Sequence, residues 1–324
     1  MSTPVLIGPM PPVTRRIRAY FAPVNRTLGQ PAIFDAAANG QFNLAAPPAP
    51  WIDLGWIENF SRKSTSTFGA VNAGSPATAQ VQVREQLSAT VSFHFLTWQK
   101  LTMALSTGSQ HMNLLFEASA ATPNGSGGAA ATAAVVTAGS TSTFVALAAI
   151  DAARFTAGQM VAVDADYAAQ IGYVGAGVSG AYVRSAALVG SSPDYLRRIT
   201  FNVARVSQSS ASGLTLAQPL IAGAPAPSMK VQAIAGFVDR EGGTFFQEWS
   251  ALFVMPGEQG DRILYYYPRL QSIANAEEAP AQLSASLERL ALSGSFRALP
   301  VTDANDGETV LCFRSYLPSP MTLL

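Results

Sequence analysis

Gln80-Val81-Gln82-Val83-Arg84-Glu85-Gln86-Leu87, followed at once by Ala89-Thr90-Val91-Ser92-Phe93-His94-Phe95, decides the fold class of this chain. Apolar and polar residues alternate with period two, which places Val91, Phe93 and Phe95 on one face. A helix would repeat its apolar residues every three or four positions instead. The stretch therefore predicts β-strands with one face against a core. Upstream, Trp51-Ile52-Asp53-Leu54-Gly55-Trp56-Ile57 reads as a further strand broken by a glycine. Between the two lies Asn59 to Ala79, rich in Ser, Thr, Gly and Ala. It reads as a connecting loop, and loops of that length are functional or disordered. Downstream, Thr97 can cap a short helix from Trp98 to Ser106, with Trp98, Leu101 and Leu105 on the side that packs against the sheet. Gly108 would end it.

The texture changes on both sides of this block. Residues 1–50 are rich in Pro and Ala and read as an N-terminal arm, with Arg15 to Phe21 alternating charged and apolar residues as an extended arm or strand. Such arms order against a neighbour because they bury too little surface alone. Residues 123–134 have linker composition. Beyond them come short strand-like runs at Phe144–Leu147, Met160–Val163, Tyr182–Ala186, Ile199–Val206 and Leu214–Leu216, an all-β pattern. The earlier style resumes with strands at Phe245–Val254, at Arg262–Tyr267 stopped by Pro268, at Leu283–Phe296 and at Thr309–Tyr316. The expected architecture is mainly β, a sandwich or barrel with a short flanking helix plus an inserted small all-β domain. Its parts are an arm (1–50), a discontinuous β domain (51–128 and 236–324) and an insert (129–235).

Only 12% of the residues are charged, against about 25% in an ordinary soluble domain. A free monomer with so little surface charge is poorly soluble, so the composition implies a surface buried against other copies. Lys occurs only at positions 63, 100 and 230, and the formal net charge is zero. No global field draws the protein to nucleic acid or anionic membranes. The charge is uneven, however: residues 236–324 carry 6 basic and 11 acidic side chains. Cys312 is the only cysteine, which rules out an internal disulfide and fits a structural thiol made in a reducing cytosol. Met1 to Pro12 lacks the pattern of a signal peptide. No apolar run approaches the ~20 residues that span a bilayer.

Site chemistry is sparse. The two histidines, His94 and His111, are far apart in sequence, and His94 lies on the polar face of its strand. No spacing of His, Cys or carboxylates matches a metal site, and Asp164 and Asp166 read as turn residues. No Gly-x-Ser-x-Gly elbow is present. The glycines of Val174 to Gly180 lack the Lys-Ser/Thr and the βαβ setting of a phosphate loop. The sequence predicts no catalytic residue, no metal, no cofactor and no enzyme.

Two segments together resemble the tail tube (major tail) proteins of long-tailed bacteriophages. One is "WIDLGWIENFSRKSTST" with "QVQVREQLSATVSFHFLTWQKLTMALSTGSQHMNLL", between Trp51 and Leu115; the other is "FQEWSALFVMPGEQGDRILYYYPRLQ", from Phe246 to Gln271. The first is similar to that family in its order of strand, long loop, paired strands and short helix; the second is similar to the returning half of the same sheet. The insert at 135–235 departs from the simplest members. The resemblance implies a tail-tube-type β domain, hexameric rings that stack into a tube, and assembly in the host cytoplasm into the virion tail. It implies tape measure, tail terminator and baseplate proteins as partners, with DNA passing through without specific binding or membrane contact. About four strands per subunit give an inner barrel of about 24, which at ~4.8 Å spacing and ~40° tilt has a lumen near 40 Å across, wide enough for duplex DNA.

Under this resemblance, Arg62, Lys63 and Phe68 of the 59–79 segment are the expected contacts with the next ring. Arg16, Arg18 and Tyr20 of the arm are second candidates. Glu248, Glu258 and Asp261 are candidate acidic residues of the lumen, where negative charge would repel DNA phosphates. A capsid decoration or tail completion protein shares the same composition but stops at a defined oligomer. A carbohydrate-binding β protein, with Tyr167, Tyr173, Tyr182 and Tyr195 lining a sugar site, is the alternative from another class.

Overall fold

A computed structural model of the chain describes residues 16–24, 31–48, 50–98, 100–108, 110–115, 133–164, 202–220, 223–240, 248–258, 260–273, 278–284 and 287–319. It is mainly β. In chain order the elements begin with β1 (Ile17–Pro23), α1 (Ala36–Asn39), β2 (Ile52–Ala73), β3 (Thr78–Phe95), α2 (Lys100–Thr107) and β4 (Gln110–Leu115). Then come β5 (Ala134–Val135), β6 (Phe144–Ala146), α3 (Ala149–Ala152), β7 (Met160–Asp164), β8 (Val203–Ser210), β9 (Gly213–Leu216) and β10 (Lys230–Arg240). The last are β11 (Glu248–Pro256), β12 (Arg262–Ser272), β13 (Glu278–Ser284), β14 (Leu287–Ala298), β15 (Val301–Thr302), β16 (Thr309–Val310) and β17 (Phe313–Leu317). The chain divides into two compact units, one formed by Met1–Val24, Pro31–Trp98 and Glu248–Leu324, the other by Asn25–Gln30 and Gln99–Gln247.

The first unit is an antiparallel sheet in the order β13-β14-β3-β2-β1-β11-β12-β17, and β14 also pairs with β12. That additional pairing closes β14, β3, β2, β1, β11 and β12 into a six-stranded barrel. The seam is short: only Leu270↔Ala298, Gln271↔Arg297 and Ser272↔Phe296 are paired across it. The first half of β12 pairs with β17 instead, and the first half of β14 with β13. Aromatic rings fill the interior. Phe21 sits 5.4 Å from Phe296, 6.1 Å from Phe253 and 6.3 Å from both Phe93 and Trp249, ring centre to ring centre. Phe93 stacks on Phe296 at 5.7 Å.

The segment from residue 31 to Trp51 covers the other face of β1, β11 and β12. Phe34 and Trp51 pack on Tyr20, Leu252, Val254, Leu264 and Tyr266. Polar bonds fasten it: the Tyr20 hydroxyl donates to the Leu44 carbonyl at 2.8 Å, Tyr266 to Ala32 at 2.8 Å, and Arg262 to the Gly40 and Phe42 carbonyls. β11 is consequently buried on both faces, as are Ala19 to Ala22 of β1.

These observations decide between the arm and the strand read at Arg15 to Phe21. Ile17–Pro23 is an interior strand between β2 and β11. Pro268 does not stop its strand. Trp249 pairs with Leu270 and Ala251 with Tyr267, so Pro268 and Arg269 together face Ser250 in a bulge. A proline is tolerated there because no ladder hydrogen bond is required of it. The Ser250 hydroxyl donates to the Pro268 carbonyl at 2.7 Å and accepts from the Ala32 N–H at 2.9 Å.

The second unit is also antiparallel, in the order β4-β10-β7-β8-β9-β6, with β5 on β10 beside β4. A bridge between Val136 and Leu147 links β5 to β6, which closes a second small barrel around Val145, Phe155, Val161, Val206, Leu214 and Val231. α2 is shorter than expected, and it packs against β4 and β10 of its own unit. The units divide after Trp98 and Gln247, so α2 and β4 leave the β domain to which the sequence assigned them. Trp98 precedes the helix and is 45% exposed, whereas Leu101 and Leu105 are buried. The strand expected at Tyr182–Ala186 lies outside the described residues.

Burial raises the phenol pKa of Tyr20, Tyr266 and Tyr267, the last two to about 12. An unfolded chain ionises its tyrosines near pH 10, so the folded state holds these protons more tightly. The contribution is complete below pH 10 and is lost as pH rises from there through 12. Near-UV circular dichroism of the barrel is expected to collapse cooperatively in that window. Tyr266→Phe should move the collapse to higher pH; an unchanged midpoint would show that these phenols do not set the alkaline limit.

Candidate functional site

The segment read as a loop from Asn59 to Ala79 is the outer half of a long β-hairpin. β2 and β3 pair from Ile57↔Phe95 out to Ala73↔Thr78. Two features aim it. Asn59 adopts a positive φ of 53° at a bulge between Glu58 and Ser61, and its side-chain amide meets His94 Nδ1 at 3.1 Å. Asparagine tolerates that left-handed conformation better than most residues. Arg62 then ties the base of the hairpin to the barrel: its Nε donates to the Tyr267 hydroxyl at 2.9 Å, and its guanidinium lies 5.4 Å from the Tyr265 ring centre.

Beyond this base no described strand pairs with the hairpin. The last pair that joins β3 to β14 is Thr90↔Arg297, and the last that joins β2 to β1 is Ile57↔Ile17. Among the described residues, both outer edges of the hairpin are unpaired from there to the tip. From Thr67 to Gln86 every residue except Gly69 is exposed. At ~3.3 Å per residue, Thr67 to Ala73 reaches roughly 23 Å outward. Ser64 to Val83 contains no charged residue.

The two faces of this ribbon differ. The pairs Gly69↔Val83 and Val71↔Val81 put three valines on one face. Val71, Val81 and Val83 are 58%, 55% and 52% exposed. A Cβ at Gly69 would collide with the Glu85 carboxylate, which folds across that spot at the edge of the valines. On the other face Phe68 faces Arg84, whose guanidinium stacks 5.7 Å from the ring centre. A two-stranded ribbon with apolar residues on a bare face is marginal in water. Its free edges are also templates for pairing with another chain.

The expected contact residues therefore separate. Phe68 and Lys63 are exposed on the hairpin, whereas Arg62 is held at the barrel rim. Arg16, Arg18 and Tyr20 belong to β1 and its start. Arg18 pairs with Asp53, both Arg16 and Arg18 lie over Trp56, and Tyr20 is fully buried. Of the acidic candidates only Glu258 is exposed. Glu248 is buried and paired with Arg269, and Asp261 is buried in the turn after β11. The valine face was not named from sequence. Its signal was the Gln80–Leu87 alternation itself, which implies a core that the chain does not place there.

No group of His, Cys, Asp and Glu able to hold a metal ion occurs among the described residues. Burial raises the thiol pKa of Cys312, and its Sγ lies 3.5 Å from the Phe313 carbonyl. The glycine run at 174–180, Asp166 and the four tyrosines of the sugar-site alternative lie outside the described residues. No described helix is long and apolar enough to cross a membrane. No model of a known protein family matches the chain, and no curated protein matches it.

Proposed function

We propose that this chain is a structural subunit that assembles with its own copies into hexameric rings, stacked as the tube of a bacteriophage tail. The observation that carries the reading is the β2–β3 hairpin: a ribbon with both edges free, an exposed valine face and an uncharged outer half. Period-two alternation on an exposed face is explained by a surface that another subunit covers. The low charge of the whole chain supports the same conclusion, since such a surface is suited to burial. DNA crosses the lumen without a specific site, and the remaining exposed carboxylate of the three candidates, Glu258, contributes to its repulsion.

A ring or decoration protein that stops at a defined oligomer is the second reading. The closed barrel of the first unit favours it, because closure leaves β13 and β17 as the main free edges of the sheet beside the hairpin. Sedimentation velocity across a concentration series separates the two. Tube formation gives a species near 200 kDa, six times the 33.9 kDa chain, that gives way to ever larger particles as concentration rises. A single boundary that no longer grows with concentration counts for the closed oligomer. A monomer at every concentration contradicts both.

A further inference from the structure

Among the described residues of the first unit, Asn59 is the only one other than glycine with a positive φ. It sits in the bulge between Glu58 and Ser61, and its amide nitrogen meets His94 Nδ1 at 3.1 Å. An amide nitrogen only donates, so Nδ1 is the bare nitrogen of a neutral imidazole. Protonation puts a hydrogen on Nδ1 and sets two donors against each other. The amide can turn its oxygen to the imidazolium, but a charged competitor is at hand. Glu58 lies directly opposite His94 in the register, and opposed residues share one face of the ribbon. A carboxylate binds an imidazolium more strongly than a neutral amide oxygen does. The other described charges on this face lie farther off. From β14 it is Ser293 that faces His94. Arg16 precedes Ile17, the partner of Ile57, and so comes on the far side of Glu58. Lys63 and Arg297 flank Thr90, four residues along β3 and roughly 13 Å away.

We propose that His94 is a proton switch at the root of the β2–β3 hairpin. Neutral, it holds the Asn59 bulge and with it the direction of the ribbon; protonated, it turns to Glu58 and releases both. Histidine is the side chain whose charge ordinarily changes between pH 5 and 8, and pH sensors act by tipping a two-state element. The element here is the exposed ribbon, which no described strand pairs with beyond its base. Arg62 stays bonded to Tyr267, so the change is one of angle at the bulge and not a detachment. The inference stands on this hinge alone, whatever surface covers the ribbon.

Single-molecule energy transfer on the full chain, at picomolar concentration where no assembly occurs, reads that angle. Dyes are placed at Ala70→Cys on the ribbon and Ile33→Cys over the barrel, both exposed, with Cys312→Ser so that no other thiol remains. The distribution of this parent chain is expected to change from one narrow peak at pH 8 to a broad one at pH 5. His94→Gln offers the Asn59 amide an acceptor at both pH values and should stay narrow. Asn59→Asp should reverse the response, narrower at pH 5 than at pH 8. Aspartate also tolerates the left-handed conformation, and its carboxylate grips the protonated ring harder than the neutral one. A parent distribution that does not change with pH overturns the proposal. The same broadening in His94→Gln overturns it too, because another group is then titrating. Broadening of Asn59→Asp at pH 5 shows that His94 does not act through Asn59, and the switch falls. Far-UV circular dichroism checks that both variants fold; where His94→Gln does not, the reversal in Asn59→Asp decides alone.

Discussion

Phe21→Ala is expected to destabilise the first unit by about 3–5 kcal/mol, the range for removing a fully buried phenylalanine from a close-packed core. Phe21 has no exposed surface, and four aromatic rings surround it. None of them is free to close the gap. Phe93 and Phe296 are stacked on each other, and Phe253 also packs on Phe60 and Tyr267. Natural domains have only about 5–15 kcal/mol of stability in total, so the variant should sit near the edge of folding at 37 °C. Urea unfolding measures the loss. Ile33→Ala is the control, because Ile33 is 83% exposed and should change stability by no more than about 0.5 kcal/mol. A loss at Phe21 no larger than at Ile33 would mean that the barrel interior is not packed as described.

The second large effect falls on assembly rather than stability. Val71→Asp with Val83→Asp places two carboxylates on the exposed valine face, beside Glu85. Neither position touches the barrel core, so the unfolding midpoint should stay within about 0.5 kcal/mol of wild type. Burying that face would then require uncompensated charges to leave water, which costs several kcal/mol for each ion. Stacking should therefore be lost at concentrations at which the wild type assembles fully, by light scattering and by microscopy. Lys63→Ala is the milder comparison, because an exposed charge eight residues before Val71 contributes at most about 1 kcal/mol. Unaltered assembly in the double aspartate variant would remove the hairpin from the interface.

Much of the fold was legible in the sequence, for an identifiable physical reason. Val91, Phe93 and Phe95 alternate with polar residues because one face of β3 is the barrel wall and the other is not, and alternation reports that condition directly. The same logic misled at Asn59 to Ala79. There the ribbon is exposed from Thr67 outward, so its Ser, Thr, Gly and Ala side chains carry no apolar period that would mark a strand. At β1 the alternation of Arg15 to Phe21 left arm and strand open, and its place between β2 and β11 decides for the strand. Pro268 reads as a strand end until the bulge opposite Ser250 is seen. α2 was rightly expected to be short with Leu101 and Leu105 inward, yet its packing partner is a strand 120 residues and more away in sequence, β10, which no local pattern announces.

The site was less legible than the fold. Phe68 and Lys63 were reachable as exposed residues of a polar segment, but Arg62 was not separable from them without knowing that Tyr267 lies beside it. Glu248 is similar: a carboxylate at the head of a strand reads as surface charge, and only the approach of Arg269 shows why it is buried.

The central claim is that the subunit is built to be covered by its own copies along an axis. Negative-stain electron microscopy of the purified wild-type chain, over a wide range of concentrations, tests it most directly. Hollow tubes of stacked six-fold rings, with a lumen wide enough for duplex DNA, are the expected result. Monomers, or closed particles without a lumen at every concentration, would contradict it.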